Sequence, residues 1–89
     1  MIDVVLLDYV KKHSRIDFDW DDDLLELYIG AAIETLEAAG CPERRDSSLY
    51  MLAVVRLTGH YYEHPEEVGA NQSIPMGLNW MIEHLRLHD

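Results

Sequence analysis

Apolar positions crowd one stretch of this chain. Between Ser47 and Pro65 lie Leu49, Met51, Leu52, Ala53, Val54, Val55, Leu57, Tyr61 and Tyr62, with Arg56 as the one charge before Glu63. A segment apolar around most of its circumference is either a core helix or a membrane span. A span needs about 20 apolar residues free of charge, and Arg56, His60 and Glu63 interrupt this one. The pattern therefore predicts the central helix of an all-α bundle, over residues 48–64. Ser47 or Ser48 caps it, because a hydroxyl accepts from the orphaned first-turn amides. Pro65 stops it, since proline has no amide to donate and disfavours helix at the residue before it.

The same periodicity places three further helices around this one. Residues 4–13 carry Val5, Leu6, Tyr9 and Val10 at helical spacing, with Asp3 as cap and Lys11, Lys12 and His13 at the carbonyl end of the dipole. Residues 23–39 carry a stripe of Leu25, Ile29, Ala32, Ile33 and Leu36, widened by Leu24, Tyr28 and Ala31. Asp23 and Glu26 stand at capping-box spacing, and Gly40 followed by Pro42 marks the stop. Residues 78–87 close the chain with Leu78, Met81, Ile82 and Leu85 on one face, Trp80 and His84 off it. The connectors are Ser14–Asp23, Cys41–Asp46 and Glu66–Ser73, with Glu66-Glu67-Val68 offering a short helical turn. Ile16, Phe18 and Trp20 alternate with acids, which predicts an extended connector pinned to the core. The expected architecture is a compact four-helix bundle, one domain over residues 1–89, with little or no strand.

Charge changes the picture more than size does. Eighty-nine residues hold 17 acidic and 7 basic side chains, a net charge of -10. Duplex binding relies on basic side chains that release counterions from phosphate, so specific nucleic-acid binding and anionic membrane binding are not expected. A domain this small buries only ~60–65% of the surface its unfolded chain exposes, so association with copies or partners is a natural further source of burial. Cys41 is the only cysteine, which excludes an intrachain disulfide and suits a reducing compartment. The opening Met1-Ile2-Asp3-Val4-Val5 lacks a basic run and a long apolar core, so no signal peptide is expected and the host cytoplasm is the expected setting.

Two strings imitate metal chemistry. The run Asp17, Asp19, Asp21, Asp22, Asp23 resembles the opening of a calcium loop, but Asp22 stands where glycine belongs and Tyr28 where the closing glutamate belongs. Acids crowding a helix N-terminus explain the run better. His60-Tyr61-Tyr62-Glu63-His64 matches H-x-x-E-H, and His60 and His64 share a helix face as zinc ligands would. A third ligand would have to come from Glu66, Glu67, Glu83, His84 or His88, and spacing selects none of them. The expectation is therefore no metal, no cofactor and no catalytic residue. In this reading the histidines sit near carbonyls at a helix end while Tyr61 and Tyr62 pack with their hydroxyls in water. Cys41 reads as a structural thiol, since no activating base is paired with it.

Four separated strings resemble one family. They are Arg15-Ile16-Asp17 after the first helix; Leu24-Leu25, Ile29, Ala31-Ala32 and Ile33-Glu34 in the second; Tyr61-Tyr62-Glu63-His64-Pro65-Glu66; and Ile74-Pro75-Met76-Gly77-Leu78 with Met81-Ile82 and Leu85-Arg86. In this order and spacing they are similar to the small head–tail connector, or adaptor, proteins of long-tailed bacteriophages and prophages, often labelled DNA-packaging proteins. The resemblance implies a structural virion protein, not an enzyme. Such proteins form a ring beneath the portal, extend the DNA channel and present a surface to the next head-completion or tail component. It implies assembly in the host cytoplasm and a final place at the head–tail junction. The alternative from another class is a small acidic module, an antitoxin or inhibitor, that masks a basic partner.

Within that role, Ile74, Met76 and Trp80 are the candidate interface residues. Trp80 lies off the buried stripe with Met76 close by, a combination typical of interface anchors. The competing reading folds Trp80 back over the core, because large aromatics are usually buried.

Overall fold

The structure, a computed structural model, describes residues 4–44, 46–68 and 76–87. Among them are four α-helices: α1 (Val4–Ser14), α2 (Asp22–Ala38), α3 (Ser48–Glu63) and α4 (Met76–Leu87). A 3-10 turn, Pro65–Glu67, follows α3, and no strand occurs among the described residues. The all-α bundle read from the sequence is the fold.

α3 is central because its apolar residues run around the helix. Tyr50, Ala53, Val54, Val55, Leu57 and Tyr61 are all buried, and α1, α2, α4 and the 3-10 turn each pack against it. Ser47 is the cap, its hydroxyl accepting from the Tyr50 amide at 3.2 Å. α3 ends at Glu63, one residue short of the expected limit. The residue before Pro65, His64, has left helical geometry at φ -133°, the bias that proline imposes on its predecessor. Pro65 then opens the 3-10 turn, where its missing amide is no loss.

α1 and α2 end in the same way. At the end of α2 the Cys41 amide reaches Leu36 O at 2.8 Å and the Gly40 amide reaches Glu37 O at 3.0 Å. This is a Schellman cap with Gly40 in the left-handed region at φ 92°. At the end of α1, Ile16 reaches Lys11 O at 2.8 Å and Arg15 reaches Lys12 O at 3.4 Å. The left-handed residue there is Arg15, at φ 57°, a conformation a side chain disfavours. Gly59 of α3 lets that end of α1 come close. A Cβ there would sit 3.1 Å from Ser14 Oγ.

Several local expectations are corrected. α2 begins at Asp22 with Asp21 at the cap position, so Asp23 is not the cap, and the Asp21 side chain makes no capping bond. α4 begins at Met76, two residues before the expected start. In α1 the buried face is Leu6 and Val10, while Val5 and Tyr9 are exposed. The connector between α1 and α2 is not extended. Its Asp22 amide turns back to Asp19 O at 3.2 Å, which breaks the period of two. Ile16 is buried and Phe18 half-buried, but Trp20 is 79% exposed and only stacks on Phe18, ring centroids 4.0 Å apart.

Candidate interaction surfaces and the histidine cluster

The acids before α2 are engaged by the protein itself. Lys11 of α1 donates to Asp19 at 2.6 Å and to Asp22 at 2.9 Å. The Tyr62 hydroxyl of α3 donates to Asp21 at 2.6 Å. These bonds tie the connector to two helices. The hydrogen bonds from Asp19 and then Asp22 hold the Lys11 ammonium above its ordinary value of 10.5. The bond to Asp21, with desolvation second, pushes the Tyr62 hydroxyl above its ordinary 10.0. A folded-state value raised above the unfolded one gives stability that is complete below the unfolded value and lost as pH rises through the folded one. Tyr62→Phe should therefore cost about 1 kcal/mol at pH 8, and that gap should close above pH ~10. Denaturant melts of both proteins across this range are the check; a gap unchanged at alkaline pH would show that the bond carries no linkage.

Tyr61 also reaches α2 and not water: its hydroxyl lies 2.9 Å from Thr35 Oγ1. Both tyrosine hydroxyls, read from sequence as solvated, are thus spent on bonds within the fold, Tyr61 to α2 and Tyr62 to the connector before it. Cys41 is buried and its thiol donates to Ile82 O at 3.6 Å, a packing role that joins the α2–α3 connector to α4.

The histidine string folds into a cluster with the 3-10 turn that follows α3. His60 and His64 do face each other, with ring centroids 4.9 Å apart. Their carboxylate partners come from the 3-10 turn. His60 Nε2 lies 3.0 Å from Glu67 Oε1, and His64 Nδ1 lies 3.6 Å from Glu66 Oε2 and 3.8 Å from Glu67 Oε2. Ligand atoms of His64, Glu66 and Glu67 fall within 4.8 Å of one another. Glu63, the base of the imitated motif, is exposed and outside that group. The imidazole–carboxylate pairs staple the turn to the end of α3. Replacing His60 and His64 together should leave helix content and assembly nearly unchanged, and zinc should not co-purify. Stoichiometric zinc that the double variant loses would overturn the structural role.

On α4, Leu78, Met81, Ile82 and Leu85 are buried against the bundle and Trp80 is 60% exposed. Trp80 does not fold back over the core. Ile74 and the Met76 side chain lie outside the described residues.

Two further surfaces escaped the sequence reading. A groove of about 560 Å³ opens between α1 and the first half of α3, lined by Val5, Tyr9, Met51, Leu52 and Val55. It shares His13 with a second hollow of about 360 Å³, lined by Arg15, Arg56, Gly59, His60 and Glu63 among others. The second surface is the outer side of the α2 region, where Trp20, Leu24 and Leu27 are exposed. Arg56 was the available signal: one charge in an apolar helix marks the side that faces out.

The described residues form a small helical bundle with exposed aromatics, Tyr9, Trp20 and Trp80, on several faces. The family model for the phage gp6-like head-tail connector protein matches residues 5–86. The chain belongs to that family, a family of structural proteins of the phage particle. No curated protein and no solved structure matches it. No helix among the described residues is long and apolar enough to cross a membrane.

Proposed function

We propose that this protein is a head–tail connector that forms a ring beneath the portal, extends the DNA channel and receives the next head-completion or tail component. The observation that carries this reading is the family match across nearly the whole chain. The net charge of -10 supports it: acidic walls repel DNA phosphate, so a genome passes through such a ring without sticking. The small core supports it as well, since a domain of this size gains burial from its neighbours. The protein acts as one domain without catalysis, is made in the host cytoplasm and ends at the head–tail junction. Ile74, Met76 and Trp80 serve as its docking residues, with Trp80 exposed on α4. The deciding experiment is electron microscopy of the protein mixed with the portal of the same phage. The expected result is a ring added beneath the portal. Bare portals, together with capture of a basic toxin or host protein in a pulldown, would instead favour an acidic masking module.

A further inference from the structure

The groove along α1 and α3 changes character along its length. Its first half is apolar, built from Val5, Tyr9, Met51, Leu52 and Val55. Its second half carries Arg15 and Arg56. Both are exposed, and neither forms an ion pair among the described residues. That is unusual in a chain with 17 acids and 7 basic residues, where a guanidinium has many carboxylates to find; Arg56 instead donates to Met81 Sδ, at 4.0 Å. Lys11 and Lys12, by contrast, are paired within the fold. Two carboxylates, Asp46 and Glu63, also line the groove.

The outer face of α2 changes character in the same order. The buried stripe of Leu25, Ile29, Ala32 and Leu36 faces inward. Leu27 lies about 200° from Leu25 around the helix, on the opposite side. The exposed residues begin with Trp20, Leu24 and Leu27 beside Asp23, and continue acidic, with Glu34 and Glu37. α2 holds five acids and no basic residue. With 17 residues it is about 25 Å long, and α3 with 16 is about 24 Å. Groove and ridge therefore match in the position of their apolar residues, and the arginines at one end of the groove are opposite in sign to Glu34 and Glu37 at one end of the ridge.

We propose that the α1–α3 groove of one copy receives the outer face of α2 from the next copy, head to tail. Trp20, Leu24 and Leu27 cover the apolar half, and Glu34 and Glu37 meet Arg56 and Arg15. The proposal rests on the ring reading above and names its contact surfaces. Groove and ridge are different faces of one molecule, so the contact is heterologous, the kind that closes into rings rather than stopping at a dimer. It also gives the strained Arg15 a use, since its guanidinium stands at the acidic end of the neighbouring ridge.

The test is sedimentation velocity of the full chain over a concentration series, alone and with its portal. Circular dichroism serves as the folding control. Arg15→Glu with Arg56→Glu disables the groove, and Glu34→Arg with Glu37→Arg disables the ridge. Each pair should weaken self-association at least tenfold. All four changes in one chain should restore it, and a mixture of the two double variants should restore it as well, as an alternating assembly in which each variant's groove meets the other's ridge. Arg15→Gly separates the contact from the fold, because it should raise the melting temperature while weakening association. Double variants that associate like wild type, or a fourfold variant that stays dissociated, would overturn the pairing and leave the ring reading standing. A wild-type chain that stays monomeric at the highest concentration and does not gather on its portal would overturn both.

Discussion

Leu57→Ala should bring this protein close to unfolding. Leu57 is fully buried at the middle of α3, the helix against which the other three pack. Truncation removes the transfer free energy of the lost carbons and leaves a cavity that neighbours on several helices cannot all collapse into. A loss of about 3 kcal/mol is expected. For a chain this size the total stability is of order 4–13 kcal/mol, so the variant forfeits a large part of it. The melting temperature should fall by roughly 12–24 °C. Leu52→Ala, only five residues away, is the internal control. Leu52 is exposed, and its loss should stay within about 0.5 kcal/mol. Equal effects at the two positions would mean that α3 does not hold its neighbours on the side described.

Trp80→Ala should do the opposite: leave the fold alone and damage assembly. With 60% of its surface exposed, Trp80 contributes little to the core, so melting temperature and helix content should barely change. An aromatic anchor at the centre of an interface costs 2 kcal/mol or more on truncation, which is about 30-fold in affinity. Portal binding, measured by titration or by the fraction of portals carrying a ring, should fall by that factor. A variant that binds the portal normally would remove Trp80 from the interface. One that melts far lower would return it to the core.

These two predictions separate residues that sequence alone placed from those it did not. Leu57 was legible as core because most of the circumference of α3 is apolar and Leu57 lies about 100° round from Arg56, the charge that marks the outer side. The α4 stripe was legible for a related reason, since Leu78, Met81, Ile82 and Leu85 leave a single face to bury. Trp80 was not legible. Its position off the stripe was clear, but a tryptophan is long enough to fold back, and only packed neighbours decide whether it does.

The termini of the helices divide in the same way. Pro65, Ser47 and Gly40 act through bonds to residues a few positions away, so the chain itself determined where α2 and α3 stop and where α3 starts. The cap of α2 was misplaced because Asp21, Asp22 and Asp23 are equivalent by local rules. What separates them is distant: Lys11 takes Asp22, and Tyr62 takes Asp21. The period-two pattern of Ile16, Phe18 and Trp20 failed for want of a partner strand, without which alternation has no sheet to face.

The sequence by itself determined the class of fold, the identity of the central helix, the acidic character and the family resemblance. Each of these follows from local periodicity, composition or ordered strings, and none needs a contact between distant residues. Tertiary structure alone decided that His60 and His64 meet Glu66 and Glu67 and leave Glu63 outside. It also decided that Val5 and Tyr9 open a groove with α3, and that Arg15 and Arg56 stand together at its end. Such juxtapositions depend on the rotation of one helix against another. A shift of a single residue turns a helical position by about 100°, and periodicity constrains that rotation only to the width of the apolar stripe.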